Sequence, residues 1–410
     1  MPRPLARPSL VTKDGDRQTQ DCGKGAPPPS IWNRPFIFLN ITFFLLFSSV
    51  AFLYLYPLAL DAMGNQHHVI GLVMGLFSAA AVLSRPFMGK LVVLKGEYRV
   101  ISLGMAVSLI SSLGYNLITG FGPGMLFIRA LHGIGFSAFI AASFSLAAKW
   151  VLPEKRGESF GIIGAALMAS MAIAPLIGDF LIRKWNFHAL YIATSLSIIL
   201  AWASVSLAFQ SRTRAHRNGG SRSSVKYLPL LRERSFFFLL VSTIIFAHCQ
   251  ATVPNFLSLL AAEKGVASGR FFFISYSTAI IILLTTGKII DRQGKLLFMR
   301  RAYPFFALGI VLIPGMIPSP LFAVSGILFG AGMGLLFTVH NALAAGHGSD
   351  IEKPAIMALF TAVYDTGFIT GALVSGWFSH LTGLSMLFWS CGILALLGFL
   401  TVAVSQIRET

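Results

Sequence analysis

Residues 287–295 read Gly-Lys-Ile-Ile-Asp-Arg-Gln-Gly-Lys, a charged, glycine-bounded turn between two long apolar runs. Residues 89–98, Gly-Lys-Leu-Val-Val-Leu-Lys-Gly-Glu-Tyr, carry glycines at the same spacing between runs of the same kind. Val93 of the earlier copy stands where the later copy has Asp291. A chain that uses one punctuation twice, once in each half, has the signature of a structure built from repeats.

The flanking runs identify the solvent those halves meet. Of 410 residues, 55% are hydrophobic and 11% charged, against about 25% charged in an average soluble domain. So few charges cannot cover the surface of a water-soluble chain of this size. A bilayer core of about 30 Å needs roughly 20 apolar residues as helix. Runs of that size fall near 36–60, 69–92, 100–119, 123–148, 157–182 and 186–209, then near 236–260, 270–290, 302–317, 320–345, 355–379 and 383–405. The ninth is short and holds Pro304 and Pro314. The expected fold is an all-α membrane protein of twelve transmembrane helices in two pseudo-symmetric six-helix bundles, 36–209 and 236–405.

Placement of charge then orients the chain. Only Arg183, Lys184, Lys264 and Arg270 lie in one set of connections, and Arg85 and Arg129 fall within spans; the rest of the 32 Lys and Arg lie in the other set or at the ends. Basic residues collect on the cytoplasmic side, so both termini are expected inside, in the plasma (inner) membrane. This arrangement accounts for the net charge of +17 without nucleic acid as a partner. Residues 1–35 and 406–410 read as cytoplasmic tails, the first disordered and without signal-peptide features. The Arg-rich, Gly-Gly-Ser-containing segment 210–235 reads as a flexible linker. Cys22, Cys249 and Cys391 are odd in number and widely spaced, which suits buried small side chains and not a disulfide or zinc framework.

The motifs, taken in order, resemble the major facilitator superfamily, and the resemblance runs from Phe36 to Ser405. The family's loop motif is met by Gly287, Asp291, Arg292, Gly294 and Lys295; in the first half Gly89 and Gly96 match, but Val93 and Leu94 replace the Asp-Arg pair. Arg129-Ala-Leu-His132-Gly133-Ile-Gly135 is similar to the family's fourth-span pattern with His in place of Gln, and Ala174-Pro175-Leu-Ile-Gly178-Asp179 is similar to the fifth-span pattern of its exporters, with Asp179 where a second glycine is usual. Pro57, Gly64, Ile70-Gly71-Leu72 and Arg85-Pro86 look like the first two spans of bacterial efflux members. The resemblance implies a secondary transporter, with the loop acid latching onto a helix start of the other half. That latch is expected for Asp291 and not for Val93; alternatively Asp291 and Arg292 only tighten a turn.

Polar residues inside the spans are the candidate site, because an intramembrane charge is costly and usually faces a cavity or a partner. Asp365 stands isolated about ten residues into its span, where a carboxylate can gain and lose a proton; its alternative is a packing role beside Gly367 and Gly371. Arg129 and His132 share a helix face, either as a cluster for an anionic group or a proton, or with Arg129 bonded only to backbone carbonyls. His248, Gln250, Asn255 and Tyr364 are expected at the substrate cavity, with Pro254 breaking the seventh span. Asp61 and Asp179 are expected at wet outer ends. Pro175, with Ala174 and Gly178, is expected to bend span 5. No P-loop or H-E-x-x-H is present, so the expectation is a monomeric, cofactor-free carrier, not an enzyme. Its partners would be lipid, a small organic molecule and protons, in an exporter or, alternatively, an uptake symporter or a transport-inactive receptor. No metal site is expected.

Overall fold

A computed structural model of the chain describes residues 32–151, 155–210, 233–348 and 352–404. Residues 1–31 of the expected N-terminal tail, the C-terminal tail and nearly all of the linker lie outside the described residues, as do the side chains of Lys288 and Asp291; Arg34 and Pro35, placed in the tail, open the first helix. Among the described residues the chain runs as twelve long helices: α1 Arg34–Ala62, α2 His67–Lys95, α3 Glu97–Leu117, α4 Pro123–Trp150, α5 Arg156–Lys184, α6 Phe187–Gln210, α7 Arg234–Glu263, α8 Gly269–Gln293, α9 Lys295–Val311, α10 Phe322–Gly346, α11 Lys353–Thr382 and α12 Leu384–Val404. Eleven are long and apolar enough to cross a membrane. The exception is α9, which stops after 17 residues and resumes past Leu312 as the short turn Ile313–Met316. This is the run the prolines marked as weak.

The repeated segment is mostly helix, which corrects its reading as a turn. Gly89 and Gly287 lie inside α2 and α8; the chain turns only at Gly96 and Gly294, with φ of 82° and 98°. Each of these glycines ends its helix by donating its N–H four residues back, Gly96 to Val92 (2.9 Å) and Gly294 to Ile290 (3.1 Å). A side chain at either φ would be strained. Both halves therefore turn on the same glycine device.

Helix ends and breaks also follow from covalent chemistry. Asn33 caps α1 by accepting from Phe36 N–H at 3.0 Å, with Pro35 in the first turn. Pro57 has no N–H to offer the carbonyl of Leu53, and that carbonyl accepts from Tyr56 instead, tightening Leu53–Leu55 into a 3-10 turn inside α1. Pro254, by contrast, sits inside an unbroken α7. The expected break does not form; the carbonyl of Gln250 simply lacks its helical donor.

Lipid is as apolar as a leucine, so helices in a bilayer associate through close packing and not through burial from water. Gly133 and Gly135 seat α4 against Phe77 of α2 and Gly104 of α3, with no room for a Cβ at either. Gly330 and Gly332 seat α10 against Ser275 of α8 and Phe306 of α9 in the same way. The wider packing repeats too. In the first half α2 packs on α4, α3 on α4, α1 on α5 and α6, and α3 on α6; adding six to every number gives the pairs of the second half. The halves meet through α2 on α11 and α5 on α8, two contacts that exchange under the same operation. Two pseudo-symmetric six-helix bundles result.

We call the face where α1 starts and α12 ends proximal, and the opposite face distal. Near the distal ends the bundles touch backbone to backbone: a Cβ at Gly376 of α11 would stand 2.8 Å from Gly71 Cα of α2, and one at Gly269 of α8 would stand 2.7 Å from Pro175 O of α5. On the proximal side Gly89, Gly157, Gly161 and Gly287 have nothing within 4 Å of such a Cβ. The molecule is closed distally.

Candidate functional site

Above that closure lies a cavity of about 310 Å³ at mid-helix depth, walled by both bundles. Aromatic and thioether side chains dominate it, among them Phe77, Phe136, Met171, Met333, Phe337 and Phe368. Its polar groups are few: Ser78, Arg85, Arg129, Gln250, Asn255, Tyr364 and Asp365, with Tyr54 and Tyr276. An apolar cleft with a handful of convergent polar groups is the usual form of a small-molecule site.

Asp365 is not isolated, as the sequence led one to expect. Its carboxylate accepts from Nη1 of Arg85, so an ion pair crosses from α11 to α2 between the bundles. The side chains are 18% and 31% exposed, and Nε of Arg85 is buried without a partner. Arg85 is the site residue that sequence reasoning missed. It had entered as a charge within a span and as part of an Arg-Pro motif, not as a site residue, and a sequence separation of 280 hides the pairing. Gly367 and Gly371 do press against α7, at Ala247 and the backbone of His248, so the packing role belongs to the glycines beside Asp365.

Arg129 is 2% exposed and has no carboxylate partner among the described residues. Its Nε donates to the carbonyl of Val73 (3.1 Å), Nη1 to the Tyr115 hydroxyl (3.2 Å) and Nη2 to the Met74 thioether (3.3 Å). The guanidinium also lies over the rings of Tyr56 and Phe77 at 5.4 and 5.1 Å, where a ring quadrupole attracts a cation. His132 does share the cluster, with Nδ1 3.0 Å from the Tyr115 hydroxyl, but it is buried and does not line the cavity. Arg129 thus bonds a backbone carbonyl, a hydroxyl and a thioether, not carbonyls alone, and it lines the cavity.

Gln250 and Tyr364 meet directly, the tyrosine donating to Oε1 at 2.8 Å. Asn255 also lines the cavity, its amide donating to Ala251 O (2.7 Å). His248 does not: Nδ1 lies 3.1 Å from the Thr370 hydroxyl, at the crossing of α7 and α11. Seven residues put His248 and Asn255 on one face, but α11 covers the lower position. His340 packs away from the cavity against Ser242 and Tyr303. Cys249 and Cys391 are buried, with Cys249 Sγ 3.3 Å from Cys391 O.

Pro175 turns its carbonyl to Gly269 of α8, Ala174 is buried, and Gly178 faces Phe52 and Leu55 of α1. Asp179, expected in water, is 6% exposed and accepts from Gly269 N–H across the bundle interface. Asp61 is exposed. Of the loop motif, Gly294 and Lys295 frame the α8–α9 turn and Arg292 is exposed in the last turn of α8; contacts of Asp291 fall outside the described residues. Val93 is 75% exposed.

The chain as a whole is similar to known proteins. The chain is 22% identical to the staphylopine export protein of Staphylococcus aureus (strain Mu50 / ATCC 700699) over 382 residues, covering 88% of this chain and 94% of that one. It is 24% identical to the multidrug resistance protein MdtG of Dickeya zeae (strain Ech586), covering 80% and 84%. Its fold is similar to the crystal structure of the nucleoside transporter NupG, with a TM-score of 0.77 at 14% identity over 91% of this chain and 100% of the other. The family model of the Major Facilitator Superfamily matches residues 38–317 and 265–409. With a two-bundle cavity and a family match along nearly the whole helical chain, the protein belongs to the Major Facilitator Superfamily: it is an integral, multi-pass membrane transporter of small molecules and not an enzyme.

Proposed function

We propose that this transporter is a proton-coupled exporter of a small organic molecule, working by alternating access in the plasma (inner) membrane. In this reading both termini are cytoplasmic, the proximal face is the inner one, and the closed distal face marks an inward-open state. The bundles 36–209 and 236–405 are the rocking bodies. The scarcity of Lys and Arg in the distal connections supports the orientation, and the export and resistance functions named for two relatives support the direction.

The observation that carries the proposal is the Arg85–Asp365 pair joining the bundles at the cavity wall. A proton on the Asp365 carboxylate neutralises it and leaves Arg85 an unpaired cation, so the tie between α2 and α11 weakens. Because the tie depends on how the bundles sit, its strength differs between access states, and only such a difference can shift their populations. About 1.4 kcal/mol of difference moves the ratio tenfold. Gln250, Asn255 and Tyr364 supply hydrogen bonds to orient a substrate, Arg129 lends positive charge, and the aromatic walls fit its body.

Proteoliposomes under an imposed pH difference test this, with 1-naphthoate and ethidium as aromatic probes of either charge. Accumulation of a probe against its gradient supports the proposal; none across the panel and extracted cell metabolites contradicts it. The sign of movement in everted vesicles separates export from uptake.

A further inference from the structure

The distal contact between α5 and α8 holds a second charged tie between the bundles. We propose that Asp179 is a distal latch, a carboxylate of the first bundle that caps a helix of the second and holds the distal face shut. The first turn of a helix leaves its N–H groups without internal partners, and the residue just before it usually accepts from one of them. At α8 the side chain of that residue, Ser268, makes no capping bond, and its hydroxyl is buried without a partner among the described residues. Asp179 takes over the task from another helix by accepting the Gly269 N–H. Its charge also faces the positive end of the α8 dipole.

The surroundings are built for this contact. A Cβ at Gly269 would stand 2.7 Å from the Asp179 carboxylate, Leu176 Cα and Pro175 O, so glycine alone lets α8 start there. Arg183, one turn along α5, donates Nε to the Asp179 backbone carbonyl (3.3 Å). Arg270, next to the capped residue on α8, is exposed. The other distal crossing, where Gly71 meets Gly376, carries side chains as well: His67 Nδ1 lies 3.3 Å from Ser379 O, and the His68 ring packs on Trp377 and His380.

A cap within one helix survives any rigid motion of that helix. This one joins two bundles, so parting α5 from α8 breaks it and returns both groups to water. The latch then favours the distally closed state by its full strength, and opening must overcome it. The inference rests on the alternating-access reading.

Its test is a distance measurement across the distal face. Spin labels at Gly120→Cys and Gly315→Cys, one in each bundle and both with open space beyond Cβ, are introduced into a C22S/C249A/C391A protein in liposomes. Asp179→Ala is expected to raise the distally open fraction about tenfold, and Asp179→Asn, which keeps an acceptor without charge, by less. Gly269→Ala strains the same contact from the other bundle and should shift the distances the same way. Unchanged distances in correctly folded Asp179→Ala and Gly269→Ala proteins overturn the latch, even if their melting temperatures fall, because a purely structural cap predicts that result. A parent confined to one distance under every pH and probe condition overturns alternating access itself, and the latch with it.

Discussion

The guanidinium of Arg85, on α2, donates to the carboxylate of Asp365, on α11, and the bond ties one bundle to the other at the wall of the cavity. Asp365→Asn keeps the shape of the side chain and removes its proton. Transport driven by a pH difference should fall at least about tenfold while the affinity for a transported probe changes about threefold or less. Uptake into proteoliposomes and equilibrium binding in detergent measure the two quantities. Equal losses in both would assign Asp365 to substrate binding.

Arg85→Ala leaves Asp365 without its partner. Loss of one member of a fully buried pair costs about 3–5 kcal/mol, but water reaches both side chains here, so roughly 1–2 kcal/mol is expected. The exchange Arg85→Asp with Asp365→Arg should recover part of that stability. Thermal unfolding of the wild type, Arg85→Asp, Asp365→Arg and the double variant decides it, and a double variant no better than its worse parent would count against a direct pair.

The sequence carried the twelve helices and their duplication, because apolar length and paired glycines are local properties. It did not carry the partner of Asp365, since the pairing depends on how α2 meets α11. Asp179 was misplaced for the same reason: it ends an apolar run, and only the arrival of α8 buries it. Gly89 and Gly287 read as turn boundaries because glycine and charge cluster there, yet the backbone stays helical until Gly96 and Gly294 supply the positive φ. His248 and Asn255 have equivalent helical phase, and tertiary cover alone separates them.

Arg129→Lys should be a damaging change despite keeping the charge. A lysine cannot reach the Val73 carbonyl and the Tyr115 hydroxyl in a planar fork, nor lie flat over Phe77. A drop in melting temperature and roughly tenfold slower transport are expected. Tyr115→Phe, which removes the hydroxyl between Arg129 and His132, should cost about 1–2 kcal/mol by chemical or thermal unfolding. A lysine variant with full transport would show that the fork is dispensable.

Gly376→Leu places a side chain where α11 meets Gly71 Cα and the His67 carbonyl at 2.8 and 2.9 Å. The distal faces cannot then close, and the protein should rest open on that side. Thiol labelling of a cysteine introduced at a cavity position such as Ser78 should become faster from the distal side and slower from the proximal side. Unchanged labelling from both sides would mean that the crossing is not part of the gate.

Val93→Asp installs the acid that the first-half motif lacks. Val93 is well exposed, so the fold should tolerate it. A carboxylate there can meet the start of α11 when the proximal face closes, and the proximally closed fraction is expected to rise about two- to fivefold. Spin-label distances across the proximal face measure it; no rise would leave Val93 without a gating consequence.

The most direct measurement follows protons and substrate together. Proteoliposomes are loaded with a transported probe and a pH-sensitive dye, then diluted into weakly buffered, probe-free medium with the membrane potential clamped. As the probe leaves, the lumen should acidify with the wild-type protein and stay unchanged with Asp365→Asn. Probe release with no change in pH, or with protons leaving alongside it, contradicts proton-driven export.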